Sequence, residues 1–362
     1  MGTARTTTHD ATDEEPMHYR SLGDTGVQVS TLCLGTMMFG GRNNADHDDC
    51  ARIINTALDA GINFVDTADV YSAGESEEIV GKALQSRRDE VVLATKFQGP
   101  MGEDRNQRGA SRRWIIAEVE NSLRRLRTDH IDLYQLHRPN PGTAIEETLS
   151  ALTDLVRQGK ILYVGHSAFQ AGQIVEAQWV ARDRHLQRFV SEQASYSLLV
   201  RGIEADVLPT AIRHHMSVIC YSPLAAGWLS GKWRKDTLEA AQPSEGRRAQ
   251  GGGMFEHRYD LGDPANMAKL NAADALARLA DDHGMTLVEL AIAFVINHPG
   301  VTSAIIGPRT MDQLVTQLPA VGISLSPQIL DRIDEIVAPG TSVNPFDSAY
   351  VNPALRPEAL RR

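Results

Sequence analysis

The order of the predicted secondary-structure elements constrains the fold of this chain more than any other feature. Short runs of β-branched or apolar residues alternate along the sequence with longer stretches of helical periodicity. Eight of the short runs are predicted strands, at residues 32–34, 63–65, 91–94, 131–136, 161–165, 189–193, 218–221 and 302–306. Strands separated by helix-length crossovers pair in parallel, and eight such units are typical of a closed barrel. The sequence therefore predicts an α/β fold of the (β/α)8 TIM-barrel class.

Helix-start and helix-stop residues between the strands support this alternation. Asp46 and Ser111 each precede an amphipathic stretch and are predicted N-caps. Thr143 followed by Glu146 has the spacing of a capping box, and Gly159 is the predicted stop of that helix. These signals place helices after the first, third and fourth predicted strands, as a barrel requires.

An open, doubly wound sheet is the competing architecture. If such a sheet held a dinucleotide, it would carry a Gly-x-Gly-x-x-Gly turn after an early strand. The sequence contains no such motif. The absence favours the barrel over the open sheet.

Four further segments complete the predicted organisation. Residues 1–16 are polar and are predicted to form a disordered tail. The stretch "YRSLGDTGVQVSTLCLGT" predicts an N-terminal β-hairpin at the start of a barrel domain that spans residues 17–340. The segment between Gly231 and Leu270 is rich in glycine and charge, which predicts a long loop before the last strand. Residues 341–362 are a C-terminal tail that could fold over the barrel mouth, the end at which the strands' carboxyl termini meet.

Composition excludes several classes of partner. The net charge of −10 argues against nucleic acid, since phosphate binding needs a basic face. No apolar run approaches the roughly 18–20 residues of a membrane span, and the N-terminus lacks an apolar signal core. Cys33, Cys50 and Cys220 are far apart and odd in number, which fits reduced thiols and predicts a cytoplasmic protein. No histidine or cysteine pair has the spacing of metal ligands, so no metal is expected.

Four residues able to handle a proton follow neighbouring predicted strands. Asp66 follows the second strand, and Tyr71 lies in the loop beyond it. Lys96 and His137 come at the ends of the third and fourth strands. Parallel barrels carry their active sites at this end, so Lys96 is the predicted partner of Asp66. A nearby ammonium is expected to lower the pKa of Tyr71, and an imidazole could orient the ring or pass a proton. Together they predict proton transfer at a carbonyl.

Six motifs in order resemble the aldo-keto reductase superfamily: "GINFVDTADVYSAGESEEIVGKAL", "LATK", "DLYQLHRPN", "SEQASYS", "YSPLAAGWLSGK" and "IIGPRTMDQL". The resemblance runs from about Tyr19 to Ala338. Members of that superfamily are (β/α)8 barrels that bind a nicotinamide cofactor without a Rossmann domain. The resemblance implies an NADPH-dependent oxidoreductase that reduces an aldehyde or ketone. It also implies a catalytic tetrad, Asp66, Tyr71, Lys96 and His137, in which Tyr71 is the general acid.

The resemblance also implies a set of cofactor contacts. Those near the nicotinamide and its ribose are Thr36, Met37, Asp66, Ser167, Gln193 and the stacking ring of Tyr221, and those near the phosphates and adenine are Ser222, Pro223, Leu224, Ala225, Ala226, Lys232, Gly307, Arg309, Gln313 and Gln317. The chain departs from the family pattern at three of these places. Many relatives carry an aromatic residue at Met37, an Asn at Ala168 beside Ser167, and an Asn at Gln317.

Arg309 is the residue that bears on cofactor choice. Gly307 and the helix start that follows it form a predicted anion-binding N-terminus after the eighth strand. A guanidinium there could grip a 2′-phosphate with two hydrogen bonds. The pattern therefore favours NADPH (NADP+) over NADH.

The sequence leaves the substrate and the oligomeric state open. Met38, Phe39, Phe97 and Trp228 lie in or near loops that could wall a pocket for a small carbonyl compound. A regulatory subunit with slow or no turnover, similar to potassium-channel β-subunits, is the alternative function. Those subunits carry Asn at the position of His137, so His137 favours an enzyme.

Overall fold

Eight parallel strands close into a barrel in the computed structural model, which describes residues 17–41, 43–237 and 258–348. The barrel strands are β3 (Leu32–Gly35), β4 (Phe64–Asp66), β5 (Val92–Phe97), β6 (Ile131–Leu136), β7 (Ile161–Ser167), β8 (Ser191–Ser195), β9 (Ser217–Tyr221) and β10 (Ser303–Ile306). Each strand pairs with the next, and β10 pairs with β3 to close the ring, with Ile305 opposite Cys33. The predicted (β/α)8 barrel is confirmed.

An antiparallel hairpin lies at the amino-terminal end of the barrel. It consists of β1 (Tyr19–Ser21) and β2 (Gln28–Ser30). Leu22, in the turn, is fully buried in the barrel interior. Arg20 donates to the backbone carbonyls of Ile296 and Val301, just before β10. The hairpin therefore plugs the end opposite the barrel mouth and confirms the predicted N-terminal hairpin.

Helices surround the barrel in chain order. In the described part of the chain they are α1 (His47–Asp59), α2 (Glu75–Leu84), α3 (Arg112–Leu126), α4 (Ile145–Arg157), α5 (Ala171–Asp183), α6 (Val207–Arg213), α7 (Pro264–Asp282), α8 (Leu287–Asn297), α9 (Met311–Gln317) and α10 (Pro327–Ile336). None of these described helices is long and apolar enough to cross a membrane.

The predicted helix caps are confirmed at two of three positions. Asp46 accepts from the backbone N–H groups of Asp48 and Asp49, and Ser111 accepts from that of Trp114. The capping box at Thr143 is wrong. Helix α4 begins one residue later, with Ala144 as its N-cap, so the Thr143 side chain lies outside the capping position.

The predicted long loop between Gly231 and Leu270 ends earlier than predicted, because a helix begins before Leu270. Helix α7 begins at Pro264, and the Asp263 side chain caps it by accepting from the Ala265 N–H. Leu270 therefore lies within a helix. An Asp-Pro pair is a helix-start signal that the charge-rich composition of the segment obscured. Residues 238–257 and both predicted tails, 1–16 and 349–362, lie outside the described residues.

Two layers of apolar packing support the barrel. The interior cluster is small and contains Leu22, Val29, Cys33, Phe64, Ala94, Leu133, Ile219 and Ile305. A larger cluster fills the space between the strands and the helices. Towards the mouth, buried polar side chains take over, among them Asp66, Lys96, Gln135 and Gln193. All three cysteines are buried and free, as predicted from their spacing. Among the described residues, no His, Cys, Asp and Glu side chains are grouped so that they could hold a metal ion.

Helices α2 and α3 approach each other closely beside the loop that carries Tyr71. Arg125 in α3 bonds Glu77 in α2 at 2.6 Å and Glu118 at 2.5 Å. A Cβ built on Gly81 would lie 2.5 Å from the backbone carbonyl of Leu126. Backbone cannot yield as a flexible side chain does, so only glycine fits at this crossing.

We expect Gly81→Ala to lower the free energy of unfolding by about 1–3 kcal/mol, because the added methyl overpacks the α2–α3 crossing. Gly172→Ala in α5 is the matched control, since a Cβ there meets no described atom within 4 Å. It should be neutral or raise stability by up to about 1 kcal/mol. Urea denaturation of both variants gives the comparison. A Gly81→Ala variant as stable as the control would show that the helices can separate without cost.

Candidate active site

The structure brings the four predicted catalytic residues together at the barrel mouth. Asp66 is the last residue of β4, Lys96 lies in β5, and His137 follows β6. Tyr71 begins a short 3-10 turn, Tyr71–Gly74, between β4 and α2. Asp66 and Lys96 are buried and hydrogen-bonded to each other, so both side chains lie inside the barrel at its mouth.

Lys96 is the centre of this group. Its ammonium nitrogen donates to Asp66 Oδ1 at 2.5 Å, to the Thr67 carbonyl at 2.8 Å and to the Tyr71 hydroxyl at 3.2 Å. The Lys96 side chain is 0% exposed and that of Asp66 is 3% exposed. All three ammonium protons therefore have acceptors, which a buried charge requires. The predicted pairing of Asp66 with Lys96 matches this geometry.

Burial decides the protonation of Tyr71. Burial raises the pKa of Tyr71 above its ordinary value, and the attraction of the Lys96 ammonium offsets only part of that rise. The expectation of a lowered pKa was wrong, because it counted the charge and not the loss of solvent. Burial also tends to lower the pKa of Lys96, but Asp66 and Tyr71 outweigh it and the net shift is upward. The structure therefore holds a neutral phenol beside a charged ammonium.

His137 packs edge-on against Tyr71. The two ring centroids are 5.9 Å apart and the ring planes meet at 82°. Burial, with the nearby positive charges of Lys96 and Arg138, holds the pKa of His137 well below its usual value. The imidazole is therefore neutral near pH 7. A neutral ring keeps one N–H donor and one acceptor.

Gln135 belongs to the site although sequence reasoning missed it. Its amide nitrogen donates to Asp66 Oδ2 at 3.0 Å, and Gln193 donates to the same oxygen at 2.9 Å. Gln193 also donates to Gln135 Oε1 at 3.3 Å. The two amides and the carboxylate form a closed ring of hydrogen bonds. The available signal was a polar side chain two residues before His137, in a strand that is otherwise largely apolar.

Arg138 is the second residue that sequence reasoning missed. Its guanidinium donates to the His137 carbonyl at 3.1 Å and to Ser167 Oγ at 3.2 Å. It also lies 5.9 Å from the centre of the Tyr221 ring. The Ser167 hydroxyl in turn donates to the Gln193 carbonyl at 2.9 Å. In this structure, the two predicted carboxamide contacts, Ser167 and Gln193, are bonded to protein groups.

The predicted phosphate and ribose contacts lie along the same rim. Thr36 is fully buried and donates to the Asp66 carbonyl, whereas Met37 is 43% exposed. The half-buried loop after β9 contains Ser222, Leu224, Ala225 and Ala226 around a buried Pro223, and Lys232 beyond it is exposed. The positions are compatible with a bound cofactor, and the contacts themselves stay predictions.

The loop after β10 holds the predicted adenosine contacts. Gly307 is exposed and Arg309 half-buried, and helix α9 begins after them, at Met311. Gln313 Oε1 accepts from the Arg309 backbone N–H at 2.8 Å. Gln317 is buried and donates to the Gln313 carbonyl at 2.7 Å. The predicted adenine contact of Gln317 stays a prediction.

Backbone strain concentrates at the barrel mouth. Seven of the ten described non-glycine residues with positive φ lie in loops that follow strand carboxyl ends: Ser72, Ala73, Gln98, Ala168, Ser222, Ala225 and Ala226. A left-handed conformation costs a residue with a side chain about 1–2 kcal/mol. Such costs persist where the surrounding structure enforces them, and they cluster at functional sites.

An open cavity of about 500 Å³ adjoins His137. Its walls are Val70, Ala73, Gln98, Gly99, Pro100, Met101, His137 and Arg138. The predicted pocket residues Phe39, Phe97 and Trp228 are fully or almost fully buried, so their prediction as walls is wrong. Their rings pack in the core instead: the ring centroids of Phe97 and Tyr134 are 4.7 Å apart, and those of Trp228 and Trp233 are 4.2 Å apart. Met38 is half-buried and stays a prediction.

The fold and site define a parallel barrel with a buried carboxylate–ammonium–phenol group at its mouth. The model of the Aldo/keto reductase family matches residues 31–338. The chain belongs to the aldo/keto reductase family. That family generally uses nicotinamide cofactors, and the named relatives support an oxidoreductase.

Curated relatives span nearly the whole chain. "Uncharacterized oxidoreductase YrpG" of Bacillus subtilis is 39% identical, over 88% of this chain and 96% of the relative. "Aldo-keto reductase YhdN" of the same organism is 34% identical, over 94% of this chain and 100% of the relative. A "Probable voltage-gated potassium channel subunit beta" of Arabidopsis thaliana is 36% identical, over 89% of this chain and 97% of the relative. The relatives therefore include proteins named as an oxidoreductase or an aldo-keto reductase and proteins named as potassium-channel β-subunits.

We expect Ala168→Gly and Ala168→Asn to stabilise the protein by about 0.5–1 kcal/mol, because both residues tolerate the φ of 61° found at this position. Ala177→Gly in α5 is the control, and it should destabilise by about 1 kcal/mol or more because its backbone is helical. Urea denaturation provides the measurement. If Ala168→Gly lost as much stability as the control, residue 168 would not be strained.

Proposed function

We propose that this protein is an NADPH-dependent oxidoreductase that reduces an aldehyde or ketone to an alcohol, with Tyr71 as the general acid. One observation carries the proposal. The buried Lys96 ammonium donates to both Asp66 and the Tyr71 hydroxyl, and neutral His137 lies against Tyr71 at an open cavity. Proteins use such a grouping to supply a proton to a developing alkoxide.

The rim of the mouth suits an anionic cofactor. Within the described part of the chain, no carboxylate lies within 4.0 Å of the Arg309 guanidinium or the Lys232 ammonium. A Cβ built on Gly307, beside Arg309, would meet no described atom within 4 Å. Arg309 and Lys232, which no described carboxylate neutralises, could therefore bind the phosphates of NADPH. Tyr221 and Ser167 would then hold the nicotinamide end near Tyr71. When bound, the reduced nicotinamide supplies a hydride to the carbonyl carbon.

The protein's own groups handle the proton. Tyr71 donates its phenolic proton to the carbonyl oxygen as negative charge develops there. The adjacent Lys96 ammonium stabilises the phenolate that remains, and Asp66 holds the ammonium in place. The raised pKa keeps Tyr71 protonated before the reaction. His137, whose lowered pKa keeps it neutral, can donate an N–H to the same carbonyl oxygen and orient it.

The relatives named as potassium-channel β-subunits favour a second candidate, a regulatory subunit with slow or no turnover. Catalytic turnover separates the two functions. An enzyme oxidises many equivalents of NADPH with 4-nitrobenzaldehyde, whereas a regulatory subunit oxidises little beyond the single equivalent that it binds.

We expect Tyr71→Phe to lower kcat by about 10²–10⁴-fold while NADPH affinity changes little, because Phe keeps the ring and loses the proton. The assay follows NADPH oxidation with 4-nitrobenzaldehyde. Tyr163→Phe is the matched control, since Tyr163 is a half-buried tyrosine within β7 and away from the mouth. Near wild-type turnover in the Tyr71 variant would remove Tyr71 from the role of general acid.

We expect Arg309→Ala to weaken NADPH binding and to leave NADH binding nearly unchanged. Charge-assisted hydrogen bonds of about 1.5–3 kcal/mol correspond to roughly 10–150-fold in affinity. Tryptophan fluorescence titrations of both cofactors at two salt concentrations measure the effect, which should shrink in high salt. Arg213→Ala, an exposed arginine at the end of α6, is the control.

Two outcomes would contradict this cofactor assignment. An equal loss for NADPH and NADH would mean that Arg309 supports its loop and does not read the 2′-phosphate. A wild-type protein that prefers NADH would overturn the choice of NADPH.

A further inference from the structure

Arg138 places a positive charge in the wall of the cavity beside His137. It is half-buried and lines that cavity of about 500 Å³. One guanidinium nitrogen, Nη1, is held by the His137 carbonyl at 3.1 Å and by Ser167 Oγ at 3.2 Å. Both acceptors are uncharged oxygens. They orient the guanidinium without neutralising its charge.

Three other arginines that are largely withdrawn from solvent each pair with a carboxylate. Arg88 bonds Asp132 at 2.7 Å, Arg125 bonds Glu77 at 2.6 Å, and Arg201 bonds Glu204 at 2.8 Å. Within the described residues, no carboxylate lies within 4.0 Å of Arg138. Arg20, at the opposite end of the barrel, also has no described carboxylate partner, but both of its terminal nitrogens donate to backbone carbonyls. The described hydrogen bonds of Arg138 use Nη1 alone, and its guanidinium borders the cavity. A partly desolvated charge without a counter-ion is costly, and at a cavity a ligand can supply the anion.

The rest of the cavity matches a small organic anion. Val70, Ala73, Pro100 and Met101 form an apolar wall, and Gln98 adds a neutral polar group. No acidic side chain is among the described residues that line the cavity. A carboxylate entering the cavity would therefore meet a cation and no opposing charge.

We propose that Arg138 binds the carboxylate of the substrate, so that the preferred substrates are aldehydes or ketones that carry a carboxylate group. The inference rests on the proposed carbonyl reduction and names its substrate class. Arg138 directly follows His137 in the chain. The carboxylate of a substrate would therefore be bound at Arg138 while its carbonyl group lies at His137 and Tyr71. A guanidinium suits this task because it offers a carboxylate two parallel N–H donors.

The test compares 4-formylbenzoate with its neutral methyl ester, and 3-formylbenzoate with its ester, in the NADPH oxidation assay. The quantity of interest is the ratio of kcat/KM for acid over ester. Because the ratio is compared between enzyme forms, the intrinsic reactivities of the two aldehydes cancel. We expect Arg138→Met to lower the ratio about 10–100-fold, the range that a charge-assisted pair supplies. Arg138→Lys should keep part of the preference, and high salt should reduce it in the wild type.

Controls separate this role from cofactor binding and from folding. Arg213→Met removes an exposed arginine far from the cavity and should leave the ratio at its wild-type value. NADPH titration and urea denaturation of each Arg138 variant report cofactor affinity and stability. If acid and ester lose activity equally while NADPH binds more weakly, Arg138 holds the cofactor and the inference is overturned. An unchanged ratio with intact binding also overturns it.

A direct binding measurement keeps the inference testable if the proposed function fails. Should the wild type reduce none of the four aldehydes, calorimetric titration of 4-formylbenzoate into wild type and Arg138→Met decides, with and without NADP+. Binding that is lost in the variant supports a carboxylate site at Arg138. Equal binding, or no binding to the wild type, overturns it.

Discussion

The buried ion pair between Asp66 and Lys96 is the interaction on which the rest of the site depends. Removing two charges from water costs several kcal/mol per ion, and only good geometry with further hydrogen bonds offsets that cost. Both conditions hold here. Lys96 bonds three oxygens, and the Asp66 carboxylate accepts from Lys96, Gln135 and Gln193. Side chains from four strands, β4, β5, β6 and β8, therefore meet at one carboxylate. The hydrogen bonds of Asp66 form only when these strands pair in the observed register.

This arrangement has a consequence for the groups around the pair. Positive charge from Lys96 disfavours protonation of His137, and the same ammonium favours ionisation of Tyr71 against the larger opposing effect of burial. The result is a protonated phenol and a neutral imidazole beside one cation. These are the states that donation of a proton to a carbonyl oxygen requires. The loops around the mouth add conformational strain, which the surrounding closed barrel holds in place.

Sequence reasoning predicted the barrel and the hairpin, and it singled out four polar residues that the structure brings together at the mouth. It failed at identifiable points. It placed Phe97 and Trp228 in loops that could wall a pocket, but Phe97 is the last residue of β5 and both rings are buried in aromatic stacks. Gln135 and Arg138 lie on either side of His137 in a motif that the sequence analysis quoted, but their roles depend on contacts with Asp66 and Ser167 on other strands. The Thr143 cap failed by a single residue, since capping depends on where the first helical turn closes. Each failure concerns a contact or a boundary rather than the existence of an element.

The sequence by itself determined the alternation of strands and helices, the order of the polar residues that end those strands, and the family resemblance carried by the motifs. These are properties of local periodicity and chain order, which can be read without knowing what lies across the barrel. The tertiary structure decided which polar atoms share a hydrogen bond, whether burial or charge controls the pKa of Tyr71, and which arginines have a described carboxylate as their partner. Barrel closure brings residues such as Asp66 and Gln193, 127 positions apart in the chain, within 2.9 Å. Solvent exclusion and long-range contact arise only once the strands have closed into that ring.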